Sequence, residues 1–138
     1  MVIFLDTGFI LALRNKDDVN HIKAKDIFVK EILAGIYGKI IVTDYVADEI
    51  MTLILNRIKS KAFALKTKDF LFNTTKILFL FIDNEIFYET MELYFSYSDQ
   101  KLSFTDCSFL SLSNKFKDQN FHIATFDTNL GNLLANVT

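Results

Sequence analysis

Four acidic residues, Asp6, Glu49, Asp106 and Asp127, occupy positions from which oxygen ligands for a metal ion could converge. Asp6 and Asp127 each follow a short apolar run, and Glu49 and Asp106 fall on helix faces that otherwise carry apolar side chains. Burying an unpaired carboxylate on such a face is costly, and a shared cation would offset the cost. Because the set consists only of carboxylates, Mg²⁺ or Mn²⁺ suits it better than zinc. The pattern therefore predicts a carboxylate metal site.

Each acid also has an ordinary structural explanation, and these alternatives stay open at this stage. Asp6 could cap the helix that follows it, and Asp106 could complete a capping box. Glu49 could lie at the edge of a helix, and Asp127 could be a turn residue. Asp48, the neighbour of Glu49, is excluded from the set because successive helical residues point about 100° apart. The combination of four acids, more than any single one, supports the metal site.

Short apolar runs alternate with segments of helical periodicity along the chain. Four runs end at polar residues, as buried parallel strands do, and we predict strands at residues 2–5, 39–42, 77–82 and 121–126. Strands that alternate with helices predict parallel crossovers, and so an α/β fold: a three-layer α/β/α sandwich with a central parallel sheet. Ligands bind such sheets at the carboxyl ends of the strands, where Asp6 and Asp127 lie.

The segments between the predicted strands carry apolar side chains on one helical face. Asn20 or Asp18 is expected to cap the helix before the second strand, and Ser103 with Asp106 has the spacing of a capping box. A basic helix is expected to end near Phe72. The predicted apolar faces consist of Ala24, Ile27, Phe28 and Ile32; Val46, Ile50, Leu53 and Ile54; Phe87, Met91 and Tyr94; and Phe109, Leu110 and Leu112.

The composition predicts one globular domain over residues 1–138, since the chain has 51% hydrophobic residues, no proline and no low-complexity segment. The apolar run at residues 77–82 is much shorter than the roughly 20 residues that cross a bilayer, so no membrane span is expected. The first residues lack the features of a secretory signal. A single cysteine, Cys107, cannot form an internal disulfide. Together these features predict a cytoplasmic protein.

The net charge of −2 does not by itself predict nucleic-acid binding, but the positive charges are unevenly distributed. Five basic residues crowd into twelve positions: Arg57, Lys59, Lys61, Lys66 and Lys68. This segment is either a solvated helix face or a patch that contacts phosphates, and the sequence leaves both possibilities open.

Four short motifs, in this order, resemble those of the PIN-domain family, and in particular of the VapC-type toxin ribonucleases. They are residues 4–7 (FLDT), 43–49 (TDYVADE), 102–107 (LSFTDC) and 125–127 (TFD). The resemblance covers nearly the whole chain. Although each motif alone is weak, the ordered set is specific.

The resemblance implies a metal-dependent endoribonuclease that cleaves RNA with Mg²⁺ or Mn²⁺ as cofactor. The acidic site it implies consists of Asp6, Glu49, Asp106 and Asp127. Thr7 and Thr105 match the supporting polar positions of the family, and Arg57, Lys59 and Lys61 become candidate RNA contacts. The resemblance further implies a cognate antitoxin, a homodimer and a fifth edge strand. Because only residues 136–138 are left for that strand, we expect it to be short or missing.

Other families that share parts of this pattern fit less well. Residues 6–8 spell the Asp-Thr-Gly triplet of aspartic proteases, but those need an all-β frame and two copies of the triplet. Haloacid-dehalogenase phosphatases require a second Asp two residues after the first, where this chain has Gly8. A receiver domain would need an acid pair after the first strand. The alternative left open is a catalytically inactive PIN-like module that binds or scaffolds a partner.

Overall fold

The four predicted strands form one parallel sheet. A computed structural model of the chain describes residues 1–97, 99 and 101–138. The strands are β1 (Val2–Leu5), β2 (Lys39–Thr43), β3 (Ile77–Leu80) and β4 (Phe121–Ala124). They are ordered β3-β2-β1-β4, and all three neighbouring pairs are parallel. The predicted α/β fold with a central parallel sheet is confirmed.

Two strands end two residues earlier than the sequence predicted, because side chains replace the next strand as hydrogen-bond partners. After β3, the Ile82 N–H donates to Asp44 Oδ1 at 2.9 Å. After β4, the Thr125 N–H donates to Asn136 Oδ1 at 3.2 Å. Both interactions satisfy backbone groups that would otherwise be left unpaired where the ladder stops.

A helix follows each strand along the chain. Their bounds are α1 (Thr7–Arg14), α2 (His21–Ile27), α3 (Asp44–Leu53), α4 (Lys61–Asn73), α5 (Asn84–Ser96), α6 (Phe104–Lys115) and α7 (Thr128–Gly131). Wider π-helical turns extend α2 over Phe28–Ile36 and α3 over Ile54–Ile58. The first extension breaks at Gly35, whose φ of 89° favours glycine.

Hydrogen bonds at the helix starts confirm one predicted cap and correct another. Ser103 and Asp106 form the predicted capping box at the start of α6. Asn20 occupies the capping position of α2, but its side chain does not cap the helix. Asp18 Oδ1 instead accepts the Asn20 N–H at 2.8 Å, so Asp18 stabilises the preceding turn rather than the first helical turn.

The core is built around β1, whose four residues are all buried. The Phe4 ring lies 6.3 Å from the ring of Phe109, 5.3 Å from Phe116 and 5.0 Å from Phe121. Such aromatic contacts add to the stability that burial of the rings provides. They hold α6 and β4 against the strand that ends at Asp6.

The apolar face predicted for α5 is not the buried one. Phe87, Met91 and Tyr94 are 38%, 38% and 40% exposed, whereas Ile86 and Thr90 are buried. Helix α5 packs against α6, and Ser111 Oγ donates to Glu89 Oε2 at 2.9 Å across that contact. The packed face includes a polar residue and a hydrogen bond, so hydrophobicity alone predicted the wrong buried face for α5.

The expected short fifth strand is confirmed, as a single parallel bridge between Ile123 and Asn136. The Ile123 N–H donates to the Ala135 carbonyl at 2.9 Å, and the Val137 N–H donates to the Ile123 carbonyl at 2.9 Å. The segment after α7 therefore covers part of the edge of β4. In residues 1–97, 99 and 101–138, no helix is long and apolar enough to cross a membrane.

Candidate active site

The four acids predicted from the sequence line one cleft of about 320 Å³ at the carboxyl ends of β1 and β4, which we call the acidic cleft. Thr7 also lines it, whereas Thr105 is buried in α6 outside its lining. The described residues that line the acidic cleft are Asp6, Thr7, Gly8, Glu49, Leu53, Lys101, Ser103, Asp106 and Asp127.

Three of the four acids are held in place by backbone N–H groups at helix starts. Asp6 Oδ1 accepts the Thr7 N–H at 2.8 Å, and Asp127 Oδ1 accepts the Leu130 N–H at 2.9 Å. Asp106 Oδ2 accepts the Ser103 N–H at 2.9 Å within the capping box. The capping roles considered in the sequence analysis are therefore real, and each of these bonds occupies one oxygen of its carboxylate.

Glu49 reaches the acidic cleft from the middle of α3. It is half-buried, while Val46 and Ile50 on the same helix are fully buried against the core. Its neighbour Asp48 is exposed, as the helical spacing predicted. The apolar face of α3 therefore fixes the direction from which the Glu49 carboxylate approaches the other acids.

Burial dominates the electrostatics of Asp6. The pKa of this carboxyl is raised to about 7, chiefly by burial and to a smaller extent by nearby Asp106 and Glu49. Hydrogen bonds from Thr125 and from the Thr7 backbone act in the opposite direction on the same pKa. The pKa of Asp106 is raised as well, first by burial and then by Asp127 and Glu49. The convergence of like charges is thus secondary to the removal of water.

Thr125 was not predicted as a site residue, although it lies in one of the sequence motifs. Its fully buried hydroxyl donates to Asp6 Oδ2 at 2.6 Å and accepts the Asp127 N–H at 3.0 Å. One side chain therefore connects two of the four acidic residues. The signal in the sequence was its position two residues before Asp127, directly after an apolar strand.

Lys101 is a second residue that the sequence analysis missed. It is exposed, lines the acidic cleft and has a backbone φ of 54°. Left-handed backbone is uncommon outside glycine and is retained where the surroundings enforce it, often at functional sites. None of the four motifs contains a Lys or Arg, and Lys101 supplies a cation from just outside them.

Comparison with known proteins identifies the family. The PIN domain family model matches residues 3–133 of the chain. The chain belongs to the PIN domain family. Its structure is similar to that of the Mycobacterium tuberculosis protein VapC20, described as a sarcin-ricin loop cleaving toxin, with a TM-score of 0.79 and 20% sequence identity. The match covers 95% of this chain and 94% of the VapC20 chain. No curated protein sequence matches significantly.

The chemistry of this PIN domain's acidic cleft fits the divalent cation that the family implies. Its carboxylates offer hard oxygen ligands, and a cation would relieve the unfavourable burial of Asp6. Thr7 Oγ1 is buried without a hydrogen-bond partner among the described residues. In the same part of the chain, no three His, Cys, Asp or Glu side chains are already arranged to hold an ion.

The basic residues proposed to contact RNA lie at the turn between α3 and α4. Arg57 belongs to the π-helical extension of α3, Lys59 adopts a left-handed backbone with φ of 55°, and Lys61 begins α4. All three are exposed.

We predict that metal-free protein loses stability as the pH rises from about 4 to about 7. In this range unfolded chains release the Asp6 proton while folded chains keep it, so each pH unit lowers the free energy of unfolding by about 1.4 kcal/mol. Above pH 7 this contribution is lost completely. Urea unfolding in EDTA across this range measures it as the difference between wild type and Asp6→Asn, with Asp48→Asn as control. Parallel pH profiles for wild type and Asp6→Asn would contradict the raised pKa.

Proposed function

We propose that this PIN-domain protein is a metal-dependent endoribonuclease that hydrolyses RNA phosphodiester bonds. The observation that carries the proposal is the presence of four carboxylates, Asp6, Glu49, Asp106 and Asp127, in one cleft at the carboxyl ends of β1 and β4. Residues 1–138 would act as one nuclease domain. The fold shared with VapC20, which is described as a sarcin-ricin loop cleaving toxin, supports this proposal.

We assign different roles to the four acids according to where they are held. Asp6 and Asp127 would be the main ligands of Mg²⁺ or Mn²⁺, because Thr125 ties both to the end of β4. Glu49 and Asp106 would complete the ligand set or orient the attacking water. When bound, the cation would supply Lewis-acid activation and neutralise charge that develops on the phosphate.

Two polar side chains of the acidic cleft would assist the reaction. The Thr7 hydroxyl has unused hydrogen-bonding capacity and would donate to a phosphate oxygen or to a ligand carboxylate. Lys101 is exposed at the cleft and would attract the RNA backbone to a site whose own charges are negative. Thr105 would support the start of α6 from within the core.

A toxin of this kind would act in the cytoplasm under the control of a cognate antitoxin, and we propose both for this protein. We also propose a homodimer. Large apolar side chains at the surface support protein contacts, because Phe81, Tyr88 and Phe95 are about 70% exposed. Apolar side chains that are exposed together are typical of surfaces that other proteins cover, and Tyr88 and Phe95, seven residues apart, share one face of α5.

We predict that Asp6→Asn and Asp106→Asn each reduce RNA cleavage in Mg²⁺ or Mn²⁺ at least 100-fold. Each substitution removes a negative charge that the cation requires, and single electrostatic groups in active sites contribute roughly 100- to 1000-fold. Cleavage of labelled RNA by purified variants is the measurement. Asp48→Asn, an exposed neighbour of Glu49, is the matched control and should retain wild-type activity. Unchanged cleavage by both site variants would refute the assignment.

We predict that replacing Lys59 and Lys61 together by Gln weakens RNA binding at low salt. For single-stranded RNA, each lost phosphate contact should reduce the slope of log affinity against log salt by about 0.7. RNA titrations of metal-free protein would measure the slope. The matched control replaces Lys39 and Lys117, two exposed lysines near the amino ends of β2 and β4. Equal slopes for the two double variants would show that the basic turn is only a solvated surface.

A further inference from the structure

We infer that Asn136 is a positioning residue of the acidic cleft, which it reaches through Thr125. The inference rests on the proposed function and adds to it a residue outside the four sequence motifs. Asn136 lies in the segment after α7, in the single bridge beside β4. The Asn136 amide is uncharged and acts through hydrogen bonds to the Thr125 backbone.

The Asn136 side chain pairs with Thr125 as a neighbouring strand would. Asn136 Oδ1 accepts the Thr125 N–H at 3.2 Å, and Asn136 Nδ2 donates to the Thr125 carbonyl at 3.1 Å. The Thr138 hydroxyl donates to the same carbonyl, and the Thr138 N–H donates to Asn136 Oδ1 at 3.2 Å. Both polar groups of the Thr125 backbone are therefore satisfied by the segment after α7, one residue beyond the end of β4.

Holding the Thr125 backbone in this way fixes the direction of its hydroxyl. That hydroxyl is bonded to Asp6 Oδ2 and to the Asp127 N–H, so its position sets the separation of the two main proposed metal ligands. Geometry at an active site has large effects on rate, because a displacement of about 1 Å can cost about 100-fold. The Asn136 amide thus acts on the acidic cleft without touching it.

The absence of a side chain at Gly131 is independent support, because it leaves room for the Asn136 amide. A Cβ atom added at Gly131 would lie 2.7 Å from Asn136 Nδ2 and 3.7 Å from Thr125 Cγ2. The Gly131 backbone does not have a positive φ, so its conformation alone does not require glycine. The missing side chain leaves room for the amide, and Gly131→Ala should push the amide away from Thr125.

The test compares Asn136→Ala and Gly131→Ala with Val137→Ala, the matched control from the same segment. Val137 packs against the core and has no polar side-chain atom, while its backbone bond to Ile123 survives the substitution. Two quantities are measured for each folded variant: the hydrogen-exchange rate of the Asp127 amide and the kcat and KM of RNA cleavage in Mg²⁺. The exchange rate requires neither metal nor RNA, and Asp6→Asn serves as the inactive reference.

We expect Asn136→Ala and Gly131→Ala each to accelerate exchange of the Asp127 amide at least tenfold. Both should lower kcat at least tenfold with KM changed less than twofold, and the double variant should be no worse than either single variant. Val137→Ala should lower the melting temperature while leaving exchange and kcat within twofold of wild type.

Two results would overturn the inference. The first is an Asn136→Ala variant that behaves like Val137→Ala in both measurements. The second is faster Asp127 exchange with unchanged kcat, which would leave Asn136 a structural role only. If wild type cleaves no RNA under any condition, the proposed function fails, and the Asp127 exchange rate alone decides whether Asn136 controls the geometry of the acidic cleft.

Discussion

The burial of the Asp6 carboxylate, directly after β1, is the constraint on which the site depends. Its surroundings hold it there with two hydrogen bonds, from the Thr7 N–H and the Thr125 hydroxyl. These bonds do not offset the loss of water, because the pKa of Asp6 remains raised to about 7. A nearby cation would favour the ionised form of this buried carboxyl group at neutral pH.

The elements that pack around β1 hold the other acids close to Asp6. The aromatic contacts of Phe4 fix α6, which carries Asp106 in its first turn, and pair β1 with β4, which leads to Asp127. The helix starts at which these acids lie supply backbone N–H groups to carboxylate oxygens, a favourable arrangement for negative charge. The same residues therefore cap helices and form the acidic cleft, so the structural and functional explanations of these acids are compatible.

Local sequence patterns predicted the sheet and the four acids, because both depend on features within a few residues. An acid that follows an apolar strand or shares a buried helix face conflicts with its surroundings, and that conflict was visible in the sequence. Thr125 and Lys101 showed no such conflict. The role of Asn136 depends on a contact across 11 residues, through a side chain that substitutes for a strand.

The sequence also failed where packing is not governed by hydrophobicity. The aromatic residues of α5 had helical spacing, yet the helix packs through Ile86, Glu89 and Thr90 and leaves Phe87 and Tyr94 partly exposed. The strand ends were misplaced because Asp44 and Asn136 terminate the ladders from distant positions. In each case a specific hydrogen bond overrode the general pattern.

The central claim is that the acidic cleft binds a divalent cation through its own carboxylates, and calorimetric titration with Mn²⁺ tests it most directly. Wild-type protein should bind Mn²⁺, and at a hundredfold excess over Kd the fold should gain about 2.7 kcal/mol. Asp6→Asn and Asp106→Asn should lose this binding, while Asp48→Asn should keep it. Wild-type protein that neither binds Mn²⁺ nor melts at a higher temperature in its presence would contradict the account and favour an inactive PIN-like module.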